Sequence, residues 1–277
     1  MNESNHMEQT STATGALFSL YSTADHDAFY YGRRQVITYS KTAQPSYSYT
    51  PLAQTDFLNP QPGDEFAHGP RHEADLRYLQ GVFRYHYRGN PVVAVYSGIK
   101  MIWDVEGIAQ PAPDVAIVVG AESGESNLKV FDVQAMGQRP RFILEIVAPR
   151  FVEADLVEKL QIYAQTGVQE YFIVDSGERM GQPTVHYTVT GYRLVKGVYQ
   201  PIPPESGGRV YSKVNRLWLL PTAAQDGITA ISERSGQVIV PDADSLTSAV
   251  AARAEAAFRA TAIATQLNFS ENESGNL

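Results

Sequence analysis

Three residues in the middle of the chain have the types and the order that metal-dependent hydrolysis requires. Asp114 follows a proline directly before the apolar run VAIVV, and Glu145 lies inside another apolar run, FILEIV. An unpaired carboxylate in a buried strand is costly, so Glu145 needs a cation, a hydrogen-bond donor or a metal ion. If the two strands are neighbours, the two carboxylates converge on one point, which is a requirement for holding Mg²⁺.

Lys159 supplies a candidate third group. It lies in the segment FVEADLVEKLQIYAQTG, residues 151–167, which has the apolar spacing of a helix and ends at a glycine. Asp155, Lys159 and Tyr163 are spaced four residues apart and therefore lie along one face of this helix. An ammonium group beside two carboxylates can orient an attacking water or neutralise charge on a pentacovalent phosphate.

The surrounding segments predict the helices and strands that position these residues. Apolar residues at helical spacing after Pro70 favour a helix over about residues 72–87. A hairpin is predicted around Gly98, and the proline-rich residues 41–69 are predicted to be mostly irregular. This order of elements is typical of an α/β or α+β sheet domain. A β-meander is predicted after residue 175. The strands predicted before it are residues 33–40, 91–97, 99–104, 113–120, 141–147 and 170–175.

The chain divides into three regions by composition. Residues 1–28, rich in Ser, Thr and Ala, are predicted to form a flexible N-terminal arm, and residues 29–241 to form one main domain. Residues 242–277 include the alanine-rich segment 244–266, which favours a C-terminal helix. This segment has no sustained heptad pattern, so the helix is predicted to pack on its own domain.

Composition excludes several classes of protein. The chain of 277 residues contains no cysteine, which excludes disulfide scaffolds, thiolate zinc sites and a cysteine nucleophile. The net charge of −8 argues against coating nucleic acid by bulk electrostatics, but it allows an enzyme that contacts phosphate locally. No apolar run has the length of a membrane span, and the first residues lack the pattern of a secretory signal. We therefore expect a soluble, cytoplasmic protein without membrane contact.

Sequence motifs of other chemistries are missing. No Walker-type lysine follows the glycines of GAESGESN, and no serine stands in a nucleophile elbow. The segment HEADL, which begins at His72, is not a zinc-protease motif, because Leu76 occupies the position of the second histidine.

The ordered segments PDVAIVVG, FILEIVAP and DLVEKLQIYAQTGVQEYFIVD resemble the Uma-type restriction-endonuclease-like family, part of the PD-(D/E)XK nuclease superfamily. The resemblance extends upstream to DFLNPQPGDEFAHGPRHEADLRYL and IKMIWDVEG, and more weakly downstream, so that it covers about residues 30–240. It implies a restriction-endonuclease-like α/β fold, in which helices flank a mixed central β-sheet.

The resemblance also implies roles for individual residues. Asp114 and Glu145 are expected to be metal ligands, and by analogy with the superfamily the backbone carbonyl of Ile146 completes the metal shell. Val147 stands where the superfamily has a lysine. Lys159 matches the lysine in the following helix of this family and is expected to replace it.

Further residues are candidate contacts to substrate in the cleft. The family has a histidine at the position of His72, and Glu73 follows it at the start of the predicted helix. Tyr163 is either a core aromatic or a substrate contact. Arg141, like the other arginines around the Glu145 strand, is either a surface charge or a phosphate contact.

Each of these residues also has a structural interpretation. Asp114 is compatible with a simple turn, because Pro-Asp pairs favour turns. Lys159 is compatible with a solvated helix lysine that pairs with Asp155. Glu145 is compatible with a buried ion pair, in which the partner is Arg139, Arg141 or Arg150.

These observations lead to one hypothesis and two alternatives. The hypothesis is a Mg²⁺-dependent endonuclease, also active with Mn²⁺, which hydrolyses DNA phosphodiester bonds and pairs into a homodimer to cut both strands. The first alternative is a catalytically inactive module of the same fold that binds DNA or another partner, with Glu145 neutralised by an arginine. The second is a metal-dependent hydrolase of another phosphate ester.

Overall fold

The computed structural model describes residues 28–39, 44–121, 128–179 and 186–241. The predicted N-terminal arm, apart from Ala28, and the predicted C-terminal helix lie outside these ranges. Within them, no helix combines the length and the apolar character needed to cross a membrane.

Strands outnumber helices in the described residues. The α-helices are α1 (Pro70–His86), α2 (Val133–Met136) and α3 (Lys159–Gln165). A π-helical turn (Ala154–Glu158) directly precedes α3, and 3₁₀ turns cover Gln54–Leu58 and Ser206–Gly208. The strands are β1 (Gly32–Thr38), β2 (Ser46–Pro51), β3 (Asp64–Phe66), β4 (Val93–Tyr96), β5 (Lys100–Ile102), β6 (Val115–Val119), β7 (Val130–Asp132), β8 (Pro140–Ile146), β9 (Glu170–Asp175), β10 (Thr188–Val195), β11 (Val198–Ile202), β12 (Val210–Ser212), β13 (Leu217–Pro221) and β14 (Ile228–Ser232).

A six-stranded mixed sheet forms the centre of the molecule, with strand order β11-β10-β9-β8-β6-β4. Strands β8 and β9 run parallel, and every other neighbouring pair in this sheet is antiparallel. The interior strands consist of branched and aromatic residues and are buried on both faces, as their apolar runs predict. The segment predicted to form a meander, residues 184–202, contributes the antiparallel pair β10-β11, and β10 also pairs antiparallel with β9.

Helices cover both faces of this sheet. On one face, α1 packs Leu79, Val82 and Phe83 against a cluster that includes Leu144 of β8. On the other face, α3 packs against a cluster that includes Ile143 of the same strand. Because successive side chains of a strand point to opposite faces, Glu145 shares the α3 face with Ile143. The predicted α/β architecture, a mixed central sheet flanked by helices, is confirmed.

The predicted hairpin around Gly98 is wrong. Strand β4 pairs with β6 in the central sheet, whereas β5 pairs in parallel with β7 in a separate two-stranded sheet. Between them, the backbone N–H groups of Gly98 and Met101 donate to the carbonyls of Pro113 and Pro111. The fully buried strand β6 needs partners along both edges, and β4 supplies one of them.

Residues 44–69, the described part of the segment 41–69, are also more regular than predicted. Strand β1 pairs antiparallel with β2 and β3 in a three-stranded sheet. All residues of β2, sequence SYSYTP, are exposed, so this strand lacks the alternation of buried and exposed residues that identifies a strand in sequence. Side-chain bonds from Arg33 to Glu65 and from Arg34 to Asp64 tie β1 to β3.

Both predicted helices form, with one irregularity. The first spans α1 and agrees with its predicted range within two residues. The second was predicted as one continuous α-helix, but its first part is the π-helical turn, in which the N–H of Lys159 donates to the carbonyl of Ala154. It ends before Gly167, whose φ of +78° suits a glycine at a helix end.

Candidate active site

Asp114 and Glu145 lie on neighbouring strands of the central sheet. Asp114 immediately precedes β6, and β6 pairs with β8 so that Val115 lies opposite Leu144. The backbone N–H of Asp114 donates to Oε2 of Glu145 at 3.3 Å, and the backbone N–H of Ile146 donates to Oδ2 of Asp114 at 2.8 Å. The sheet register therefore brings the two acidic residues together.

Lys159 reaches the same pocket from the helical segment on the α3 face. Its Nζ lies 3.0 Å from Oε2 of Glu145 and 2.8 Å from Oδ1 of Asp155. The side chains of all three residues are 1% exposed, and the ammonium also lies 4.1 Å from the centre of the Phe57 ring. The interpretation of Lys159 as a solvated surface lysine is wrong.

Further hydrogen bonds hold these carboxylates in place. The Tyr163 hydroxyl donates to Oε1 of Glu145 at 2.6 Å, so both oxygens of Glu145 have partners. The backbone N–H of Ala148 donates to Oδ2 of Asp155 at 3.3 Å. Tyr163 is buried in the core, as the first of its two interpretations predicts, and its hydroxyl contacts Glu145. A contact of Tyr163 with substrate stays a prediction.

His72 borders the pocket from α1. Its Nε2 lies 3.1 Å from Oδ2 of Asp114, and the residue is 4% exposed. The ring of His68, just before α1, lies 4.3 Å from the ring of His72. Sequence reasoning missed His68, although a second histidine four residues before His72 was a signal that could have found it.

The remaining candidates lie apart from the carboxylates. Glu73 is exposed, and its carboxylate lies 3.9 Å from Arg77 and 4.0 Å from Nδ1 of His68. Arg141 is exposed near the start of β8 and borders a surface cleft of about 510 Å³ together with Arg193. Arg141 lies four positions before Glu145 along β8, a distance of about 13 Å.

The arginines near β8 do not neutralise Glu145. Arg139 pairs with Asp104, and Arg150 donates to the backbone carbonyl of Ala67. The interpretation of Glu145 as one half of a buried arginine pair is therefore wrong, because its cationic partner is Lys159.

The carboxylates of this pocket have unequal affinities for protons. Burial raises the pKa of Glu145, and the negative charges of Asp114 and Asp155 raise it further. The ammonium of Lys159 acts to lower this pKa, but the net result is a pKa of about 8. Burial likewise raises the pKa of Asp155, again against Lys159. Burial acts in the same direction on Asp114, but the nearby His72 outweighs it and holds the pKa of Asp114 well below its usual range.

The basic groups also differ from their exposed counterparts. Burial lowers the pKa of His72, but Asp114 outweighs burial and raises it to about 9. Burial also acts to lower the pKa of Lys159, yet Asp155 and Glu145 raise it above its ordinary value. Burial lowers the pKa of His68 to about 4, so His68 is neutral at neutral pH. Lys159 is therefore a permanent cation beside carboxylates of contrasting acidity.

The donor set of this pocket fits a hard divalent cation. Carboxylate oxygens are the ligands that Mg²⁺ and Mn²⁺ prefer. Two carboxylates, those of Glu145 and Asp155, contact the ammonium of Lys159, and Asp114 lies close enough to raise its pKa. Burial is the largest cause of the raised pKa of Glu145, and the neighbouring carboxylates of Asp114 and Asp155 add to it. Asp114, whose side chain is 11% exposed, is the most accessible of the three.

The comparisons with known proteins concern this same part of the chain. Residues 65–220 match the model of the Uma2 family, described as “Putative restriction endonuclease”. No curated protein matches the chain. One similar solved structure is “a putative nuclease belonging to DUF820” from Anabaena variabilis ATCC 29413, with 14% identity, a TM-score of 0.39, and coverage of 53% of this chain and 74% of that one. The family match includes His72, Asp114, Glu145 and Lys159.

Proposed function

The chain belongs to the Uma2 family, described as “Putative restriction endonuclease”, and we propose that it is a metal-dependent endonuclease that hydrolyses DNA phosphodiester bonds. The observation that carries this proposal is the contact of Lys159 with both Glu145 and Asp155, in a buried pocket bordered by Asp114. Acidic oxygen donors and one amine in this arrangement suit phosphoryl chemistry.

Asp114 and Glu145 would hold a Mg²⁺ or Mn²⁺ ion, with the backbone carbonyl of Ile146 as a further ligand. When bound, such an ion supplies Lewis-acid chemistry to the phosphate group. The backbone N–H of Ile146 already donates to Asp114, so the two residues are fixed relative to each other before any ligand enters.

Lys159 would stabilise charge on the phosphate. Because its pKa is raised above the ordinary value of a lysine, Lys159 is protonated at neutral pH and cannot accept a proton from water. Its ammonium is therefore suited to neutralise negative charge that develops during in-line attack, rather than to act as a general base.

Tyr163 and His72 would act as positioning residues. Tyr163 donates to Oε1 of Glu145, which fixes the orientation of that carboxylate. His72 faces Oδ2 of Asp114 and orients it in the same manner.

Val147 supports the view that Lys159 replaces a lysine on β8. The superfamily resemblance places a lysine at position 147, but Val147 is buried in the apolar cluster on the α3 face. Tyr163 belongs to the same cluster, so the helical segment lies where its lysine can reach Glu145.

A second candidate function is a catalytically inactive module of the same family that binds DNA or another partner. The observation in its favour is that Glu145 and Lys159 have only 1% of their side chains exposed and already satisfy each other. Buried polar groups that are fully paired can serve conformational specificity alone. This alternative predicts no divalent-metal binding that depends on Glu145.

Plasmid cleavage tests the proposal. We expect the parent protein to cut plasmid DNA with Mg²⁺ or Mn²⁺ and not with a chelator, and Glu145→Gln and Lys159→Met each to cut at least about 100-fold more slowly. Glu153→Gln, an exposed acid on the same segment, is the matched control and should cut like the parent. A parent that is inert with both metals on supercoiled, linear and single-stranded DNA would contradict the proposal. Equal cleavage by all four proteins would contradict it as well.

A further inference from the structure

A second cluster of metal-ligating side chains lies on the α1 side of Asp114. It consists of His68, directly before α1, with His72 and Glu73 in its first turn. One ligand atom from each residue lies within 4.8 Å of the ligand atoms of the other two. Within the described residues, no hydrogen bond or ion pair joins any of these three residues to Glu145 or Lys159.

The tautomer of His72 follows from its partner. An ionised carboxylate can only accept hydrogen bonds, so the Nε2 of His72 that faces Asp114 carries the hydrogen. Below its pKa of about 9 the ring also carries a proton on Nδ1, and a metal ion that displaces this proton would bind the Nδ1 lone pair. This Nδ1 atom is buried and has no hydrogen-bond partner among the described residues. A histidine that donates one ring N–H to a carboxylate and presents its other nitrogen is the usual arrangement of a metal ligand.

The ring of His68 lies beside that of His72, with the ring centres 4.3 Å apart, and its Nδ1 lies 4.0 Å from the carboxylate of Glu73. Its Nε2 is likewise buried without a partner in the part of the chain that the structure describes. Its ring centre lies 5.7 Å from that of Phe57 and 5.9 Å from that of Phe151, and these contacts limit the positions available to the imidazole. The two histidines therefore carry their unsatisfied nitrogens on adjacent, restrained rings.

We propose that His68, His72 and Glu73 form a binding site for a transition-metal ion of the Zn²⁺ type, with Asp114 as the outer carboxylate. Two imidazoles and one carboxylate favour Zn²⁺, Co²⁺ or Ni²⁺ over Mg²⁺, which prefers oxygen ligands alone. Three protein ligands leave a position open for water or another ligand. The positive end of the α1 dipole opposes a cation here, and the carboxylate of Glu73 offsets it.

This site is distinct from the one proposed for catalysis, but the two share Asp114. An ion bound to Nδ1 of His72 would fix the orientation of this ring, and with it the hydrogen bond to Oδ2 of Asp114. The site would thus link the start of α1 to the strand β6.

Spectroscopy of the Co²⁺ complex tests the proposal, since four-coordinate Co²⁺ with nitrogen ligands absorbs visible light much more strongly than hydrated Co²⁺. Co²⁺ is titrated into the full-length protein in excess Mg²⁺, and Zn²⁺ is then added to displace it. We expect one Co²⁺ ion to bind with visible absorption, and the dissociation constant to rise at least about tenfold in His68→Gln. The exposed His186 provides the matched control, His186→Gln. Zn²⁺ should raise the melting temperature of the parent and not that of His68→Gln, and circular dichroism reports whether the variant is folded.

Two more variants exclude other locations. Glu145→Gln should keep the Co²⁺ spectrum, even if the nuclease proposal fails. The double variant His6→Gln/His26→Gln should keep it as well. The proposal is overturned if folded His68→Gln binds Co²⁺ as tightly as the parent, or if either Glu145→Gln or the double variant abolishes the spectrum.

Discussion

The ammonium of Lys159 lies 3.0 Å from the carboxylate of Glu145, in a contact that leaves 1% of each side chain exposed. Lys159 reaches Glu145 from the helical segment, and Tyr163 holds the other oxygen of that carboxylate. Removing one partner of a buried contact of this kind leaves the other without compensation. Stability and function are therefore expected to depend on the same few atoms.

Loss of the Lys159 ammonium should destabilise the fold. In Lys159→Met, Asp155 and Glu145 lose their cation, and we expect the free energy of unfolding to fall by about 3 to 5 kcal/mol above pH 8, where Glu145 is ionised. The loss should be smaller below pH 8, where Glu145 has taken up a proton. Urea unfolding measures both values, and Lys129→Met, at an exposed position, should change little. An equal loss at both pH values would show that the effect is one of packing rather than charge.

Glu145 should make the metal-free protein less stable as pH rises. Its folded pKa of about 8 exceeds the ordinary value of 4.5, so between these values the folded state binds more protons than the unfolded state. The stability present at lower pH is therefore lost as pH rises through this window. Glu145→Gln should lose less stability over the same window in urea unfolding with a chelator. Parallel pH profiles for the parent and the variant would contradict the raised pKa.

His72 should titrate far above an ordinary histidine. Its pKa is raised to about 9, so in the metal-free protein the stability it contributes is fully present below about 6.5 and is lost as pH rises through about 9. Asp114→Asn should lower the pKa of His72 by at least about one unit, as expected for loss of a neighbouring opposite charge. NMR of the imidazole protons measures the pKa directly, with His86, which contacts the Asn215 carbonyl, as the internal control. An unchanged His72 titration in folded Asp114→Asn would refute the coupling.

The Tyr163 hydroxyl should matter more to catalysis than to stability. Tyr163→Phe removes one hydrogen bond to Glu145, worth about 0.5 to 1.5 kcal/mol of stability below pH 8, where Glu145 is protonated in the metal-free protein. We expect weaker Mn²⁺ binding and slower DNA cleavage, while the variant remains folded. Tyr199→Phe removes a hydroxyl that donates to the Val168 carbonyl and is the matched control. Equal cleavage by the two variants would count against a positioning role for Tyr163.

The parts of the fold that the sequence predicts are those with strong local patterns. The doubly buried strands β6, β8 and β9 are continuous apolar runs, and α1 has a clear helical spacing. A charged residue inside such a run must have a partner, which identifies Glu145 before its neighbours are known. The meeting of Asp114 with Glu145 then follows from strand adjacency.

Other features depend on contacts that local patterns do not encode. No pattern in the sequences of β5 and β7 indicates that these two strands pair. The exposed strand β2 shows no alternation of buried and exposed residues. The π-helical turn before Lys159 arises within an otherwise ordinary helical sequence. His68 precedes α1, and only the fold brings its ring beside that of His72. Long-range packing, rather than propensity, decides all four features.

The roles of Asp114, Glu145 and Ile146 as metal ligands are tested most directly by the anomalous scattering of a crystal soaked in Mn²⁺. The account predicts a Mn²⁺ peak at about 2 Å from the carboxylate oxygens of Asp114 and Glu145, and its loss in crystals of Glu145→Gln. The absence of any peak there would contradict the account, and so would a peak confined to His68, His72 and Glu73.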